Sequence, residues 1–167
     1  DFNNGRFDKR WGRVESWSDA ILQGPHFHVG VPFYKTPNST MRNNLDWSDV
    51  DLESLELDAL PVTSYKPTGD RAVYDASYTD WGTEAEPKPA RDYYRIAWRT
   101  MAANTGERTL IPALLPPGPA HVDAVFSAGT DNPRILLLLA GGMTALLTDF
   151  LTRAVPKKHI RVPGIER

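Results

Sequence analysis

The chain has 167 residues, 41% of them hydrophobic and 24% charged, which is enough for one domain with its own core and no covalent staples. It has no cysteine, which excludes disulfides and thiolate metal sites and leaves a reducing, cytoplasmic setting as the expectation. The formal net charge of −2 argues against a basic, self-sufficient nucleic-acid-binding domain, and 14 Pro with 12 Gly predict many irregular connections.

The opening residues, DFNNGRFDKRWG, hold neither an initiator Met nor an apolar signal region, so no targeting segment is predicted, and a piece of a longer protein is suggested. SWSDAI at 16–21 predicts a short helix capped through Ser18. In HFHVGVPFYKT at 26–36, Phe27, Val29, Val31 and Phe33 recur at period two, and Pro32 places the strand at an edge. Residues 37–56 read as a polar loop with a helical turn near 48–55, and residues 60–91 as a second irregular region. Loops of this length in a small domain usually carry function or wrap a partner.

The C-terminal part is more regular. Tyr94, Ile96 and Trp98 alternate with Arg95, Ala97 and Arg99, the pattern of a half-buried strand with one polar face. NTGE at 104–107 supplies a turn, Thr109 to Leu115 returns antiparallel until PPGP ends it, and His121 to Ala128 makes a third strand. Asp131 or Asn132 caps a helix from Pro133 to about Ala154, apolar nearly all round and therefore expected to be buried. Its apolar run, Ile135 to Leu147, falls short of the roughly 20 residues that span a bilayer, so no membrane is expected. Pro156 stops the helix, and KKHIRVP follows as a basic extended tail. The reading is one α+β domain over 1–167, loop-rich over 1–91 and strand-strand-strand-helix over 92–167, with a mixed or antiparallel sheet, a long buried C-terminal helix and large irregular loops.

Catalytic patterns are sparse. LLPPG has Leu where a methyltransferase loop that holds a target amino group needs Asp or Asn, and the glycines of LAGGM lie inside the helical run, where they read as a close-packing spot. Asp75, Glu86 and Lys88 resemble a nuclease set by spacing alone, because Pro87 and Pro89 disrupt the strand that would aim them at one metal. His26 and His28 lack a third ligand nearby, and no Gly-x-Ser-x-Gly elbow occurs. What remains is a set of cationic and amide side chains in the two loops: Lys35, Arg42, Asn43 and Asn44 in the first, Lys66 and Arg71 in the second, with Tyr65 beside them. Arg and Lys neutralise phosphates or pair with guanine, and Asn pairs with adenine, so these loops suit a duplex. A solvated surface is the competing reading of the same residues.

Tyr94-Arg95-Ile96-Ala97-Trp98-Arg99, Glu107-Arg108-Thr109, Pro116-Pro117-Gly118, and Asp149-Phe150-Leu151 with Arg153 follow one another in the chain. This order resembles the C-terminal target-recognition region of bacterial type II restriction-modification adenine-N6 DNA methylases and related phage-defence methylases. The resemblance covers about 90–155 and extends to the segment 23–35. It implies double-stranded DNA as partner. It also implies an N-terminal methyltransferase domain of the same parent chain that carries S-adenosylmethionine, with no catalytic site and no cofactor in this segment. Within it, Arg95, Arg99 and Arg108 either tie the strands together, the expected role, or touch DNA, so Arg99 and Arg108 stay among the contact candidates. The rival reading is a protein-interaction module that docks subunits through Trp11, Trp17, Trp47 or Trp81. An exposed apolar patch favours the rival, and a basic concave face bounded by the loops favours DNA.

Overall fold

The arginine-bearing strand near residue 96 lies at the centre of the molecule. A computed structural model describes residues 5–101, 105–154 and 159–160. In chain order its elements are β1 (Phe7–Arg13), β2 (Ile21–Leu22), β3 (Lys35–Pro37), β4 (Trp47–Asp49), β5 (Val62–Pro67), α1 (Arg71–Ala76), β6 (Arg95–Arg99), β7 (Pro112–Leu115), β8 (Ala120–His121), β9 (Val125–Gly129), α2 (Pro133–Thr144) and α3 (Leu146–Ala154). The fold is α+β: β6 lies between β7 and β9, antiparallel to both, and β1–β5 and β3–β4 form antiparallel pairs. β2 and β8 make a short parallel pair.

Strand β6 is buried on both faces, not half-buried as its alternation predicts. Ile96 and Trp98 face α2 and pack with Leu110, Leu136 and Ala140. Ala97 faces a second cluster of Val14, Leu22, Phe27, Ala113, Leu115 and Val125. Of the arginines on the face expected to be polar, Arg95 is buried and Arg99 half-buried, and protein carbonyls replace water as their acceptors. The third predicted strand is interrupted by a turn in which the Val125 N–H donates to the Val122 carbonyl, and it divides into β8 and β9.

The N-terminal half holds more regular structure than its sequence predicts. Residues 7–13 form β1, and 62–67 and 71–76, read as loop, form β5 and α1. The strand predicted over 26–36 is instead a 3₁₀ turn at Gly24–His26, a bridge between His28 and Val31, and β3. Pro25 and Pro32 remove the donors that a continuous ladder needs. The first short helix is a 3₁₀ turn at Trp17–Asp19 with Ser16, not Ser18, at its N-cap.

The long buried C-terminal helix is corrected to two helices, α2 and α3, bent by 63° at a break on Ala145, whose backbone is extended. Asn132 caps α2 as expected, its Oδ1 accepting from the N–H groups of Arg134 (3.0 Å) and Ile135 (3.3 Å). Gly141 and Gly142 weaken the end of α2, and hydroxyls of Thr144 and Thr148 bond their carbonyls. The two glycines lie in open space, not at a close-packed contact. Only Leu136 and Ala140, one helical turn apart, are buried in α2, so the opposite side of the apolar helix is open: Leu138 is 76% exposed and Leu146 74%. Among the described residues no single helix is long and apolar enough to cross a membrane. Part of the NTGE turn and most of the basic tail lie outside the described residues, although Ile160 is fixed by its N–H to the Thr100 carbonyl (2.7 Å) and by Trp98 Nε1 (3.0 Å).

Candidate nucleic-acid interface

The residues that carry the family resemblance hold the scaffold together. Arg95, 3% exposed, donates to the Pro119 carbonyl and to Ser127 Oγ, and burial pulls its pKa down to about 10. Arg99 donates from Nε to the Gly24 carbonyl and from Nη2 to the Phe27 carbonyl, both at 2.7 Å, joining β6 to the 23–35 segment. Arg108 donates to the Thr144 carbonyl at 2.6 Å, which satisfies the open end of α2. Buried Asp149 accepts from the N–H groups of Thr109 (2.8 Å) and Leu110 (2.7 Å), with Arg108 Nε at 3.6 Å and Arg153 Nη2 at 3.8 Å. Gly118 has φ +111, and a Cβ there would lie 3.0 Å from the Ser18 nitrogen, so the Pro-Pro-Gly turn needs its glycine.

A different region presents unpaired polar groups. The loop 38–46 folds around the Asp46 carboxylate, which accepts from Thr40 Oγ1 (2.6 Å), the Arg42 N–H (2.8 Å) and Asn38 Nδ2 (2.8 Å). These bonds, Thr40 first, draw its pKa down to about 2. Strand β1 braces the same loop from the side: Lys9 Nζ donates to the Met41 carbonyl (3.2 Å) and Trp11 Nε1 to the Pro37 carbonyl (2.7 Å). Its exposed tip is Arg42-Asn43-Asn44-Leu45. Asn43 Oδ1 accepts the Leu45 N–H (2.8 Å), while the Arg42 guanidinium and the Asn44 amide form no hydrogen bond or ion pair among the described residues.

Strands β1 and β5 and the start of α1 enclose a groove of about 290 Å³. Four cationic side chains line it, Arg10, Arg13, Lys66 and Arg71, against two carboxylates, Glu15 and Asp19. The pairing of β1 with β5 skips one residue between Lys9 and Gly12, and Gly12 takes φ +147 there. Residues three apart on a regular strand point to opposite faces, and this bulge brings Arg10 and Arg13 into one groove.

No family model, curated protein or solved structure matches the chain.

Of the eight residues marked as contact candidates from sequence, Arg42, Asn43 and Asn44 stand together at the loop tip. Lys35 is nearby on β3 but pairs with Asp49 at 3.0 Å. Lys66 is 8% exposed and donates to the Gly12 carbonyl (2.6 Å) and Thr63 Oγ1 (3.2 Å), locking the bulge. Arg71 holds Asp19, Asp75 and the Ser18 carbonyl. Arg99 and Arg108 have the structural partners described above, far in sequence from the tip. Lys9, Arg10 and Arg13 are new to the set; their sequence signal was a cluster of three cations in five residues, hidden by the absence of any strand pattern.

The other patterns do not converge. Asp75 pairs with Arg71 and with Arg91 at 2.5 Å, and Lys88 sits 4.1 Å over the Tyr93 ring, so these two of the nuclease-like residues have separate partners. No three His, Asp or Glu side chains among the described residues lie close enough to hold a metal. His26 is buried, accepts the Gln23 N–H at Nδ1 (2.9 Å), and through Nε2 donates to the Val62 carbonyl (3.0 Å). Of the tryptophans considered as docking anchors, Trp17 packs on the core and Phe33, and Trp47 stands edge-on to His26. Trp11 and Trp81 are exposed, at 42% and 40%.

Proposed function

We propose that the chain is a DNA target-recognition domain acting within an adenine-N6 methylase of a restriction-modification or phage-defence system. The observation that supports this most is the loop tip: Arg42, Asn43 and Asn44 project from a loop held in one shape by Asp46, Lys9 and Trp11. Arg pairs bidentately with guanine and Asn with adenine, and a rigid mount lowers the entropy lost on binding. The cationic groove along β1, the strand that braces the loop, supplies phosphate attraction that the net charge of −2 conceals.

On this reading methyl transfer belongs to the N-terminal methyltransferase domain of the parent chain. S-adenosylmethionine belongs to that domain as well on this reading; in this segment Gly141 and Gly142 lie within α2, not at the strand-to-helix turn that cradles a nucleoside cofactor. Arg42→Ala and Asn44→Ala are expected to cost about 1–3 kcal/mol of discrimination each at one base position, with little change in affinity for unrelated duplex. Unaltered base preference in both variants would overturn the role given to the tip.

A second reading, a protein-docking module, is favoured by the apolar side of α2 and α3. Leu137, Leu138, Leu146, Leu147, Phe150 and Leu151 are all more than half exposed, and surfaces of this kind mark contacts with other proteins. A docking module has no base preference to lose, so the same pair of variants separates the two readings.

A further inference from the structure

We infer that the groove between β1, β5 and α1 is a phosphodiester site, in which Arg10 and Arg13 hold the backbone of the duplex whose bases meet the loop tip. The inference rests on the DNA reading and adds to it the part of the duplex that this groove takes. Three observations carry it. First, the one-residue bulge before Gly12 turns two arginines into a single groove, an arrangement regular pairing would not produce. Second, neither guanidinium has a carboxylate partner among the described residues, whereas the other cations of the groove are committed: Lys66 to Gly12 and Thr63, and Arg71 to Asp19, Asp75 and Ser18.

The third observation is charge balance. Of the two carboxylates in the groove, Asp19 is neutralised by Arg71 and bonded by Ser16 Oγ at 2.8 Å, which leaves Glu15 alone against Arg10 and Arg13. The Lys66 ammonium is held below its ordinary pKa first by burial and then by the Arg10 guanidinium, with Asp19 and Glu15 acting in the opposite sense, so Arg10 and Lys66 repel each other across the groove. An anion there relieves that repulsion. The ligand class follows from the DNA reading: the strand bearing Arg10 and Arg13 also bears Lys9 and Trp11, which hold the base-reading loop, so one strand carries the phosphate contacts and braces the base contacts.

The test is titration of the full chain with a labelled duplex between about 50 and 200 mM salt. Arg10→Gln and Arg13→Gln are each expected to reduce the slope of log K against log salt by about 0.9, and to weaken low-salt affinity roughly tenfold for every sequence alike. Arg10→Lys and Arg13→Lys keep the charge and are expected to keep the slope. Duplex binding with an unchanged slope in the Gln variants overturns the groove assignment and leaves the DNA reading in place. Equal loss in the Lys and Gln variants overturns it too, since that pattern marks a structural role. Failure of the unmodified chain to bind duplex at low salt removes the DNA reading itself, and the groove assignment with it.

Discussion

Asp149→Ala is expected to lower stability by about 3–5 kcal/mol, a large share of what a domain of this size possesses. Asp149 is 5% exposed, and its Oδ1 accepts from two backbone N–H groups, those of Thr109 and Leu110. Removal leaves both donors without an acceptor and the Arg108 guanidinium beside them without its carboxylate, each a buried polar group stripped of its partner. The same residue ties α3 to the segment leading into β7, and its loss leaves Arg153, bonded to Thr109 Oγ1 and to the Gly106 and Glu107 carbonyls, to hold that end of α3. Asp149→Asn keeps the shape and one acceptor oxygen and is expected to fall between. Urea denaturation measures both; a loss below about 1 kcal/mol for the alanine variant would show that the clamp adds no more than an ordinary hydrogen bond.

Stability is expected to fall as pH drops from 7 to 5. His26 has its pKa lowered from 6.5 to about 4, first by burial, against the opposing effect of its bonds to Val62 and Gln23. The depressed folded-state value means that the unfolded chain takes up the proton first. His26 therefore contributes its full stability above pH 6.5 and loses it progressively as pH falls toward 4. At pH 5 the loss is about 2 kcal/mol. His121 is lowered in the same direction, also to about 4 and chiefly by burial, but it is partly open to solvent and adds a smaller share. Denaturation midpoints at pH 7 and 5 test this, with His26→Gln expected to flatten most of the difference. A midpoint independent of pH over that range would mean that His26 takes up its proton as readily in the folded protein as in the unfolded chain.

The sheet around β6 is legible in the sequence because its signals are local: alternation over 94–99, a turn, a return strand, and a Pro-Pro-Gly stop. Asn132 and Pro133 likewise announce α2 through residues that act on their own neighbours. Strand β1 is hidden because FDKRWGR buries almost nothing of itself and owes its conformation to β5. Strand β5 is hidden for the complementary reason: its buried residues include Thr63, Ser64 and Lys66, polar groups that no hydrophobic pattern selects.

The candidate site divides the same way. Residue type alone points to Arg42, Asn43 and Asn44, since an exposed loop leaves such side chains free. Arg10 and Arg13 become neighbours only through a bulge, a property of strand pairing that neither residue encodes. The exposed helix pair is the clearest divergence, because a helix apolar all round normally reads as buried, and here one stripe packs while the rest stays open.

The most direct measurement is selection of the full chain against a pool of randomised duplexes at low salt, followed by sequencing of the bound fraction. DNA target recognition predicts enrichment of one short sequence that contains guanine or adenine at the positions met by Arg42, Asn43 and Asn44. A bound fraction with the composition of the starting pool would contradict it.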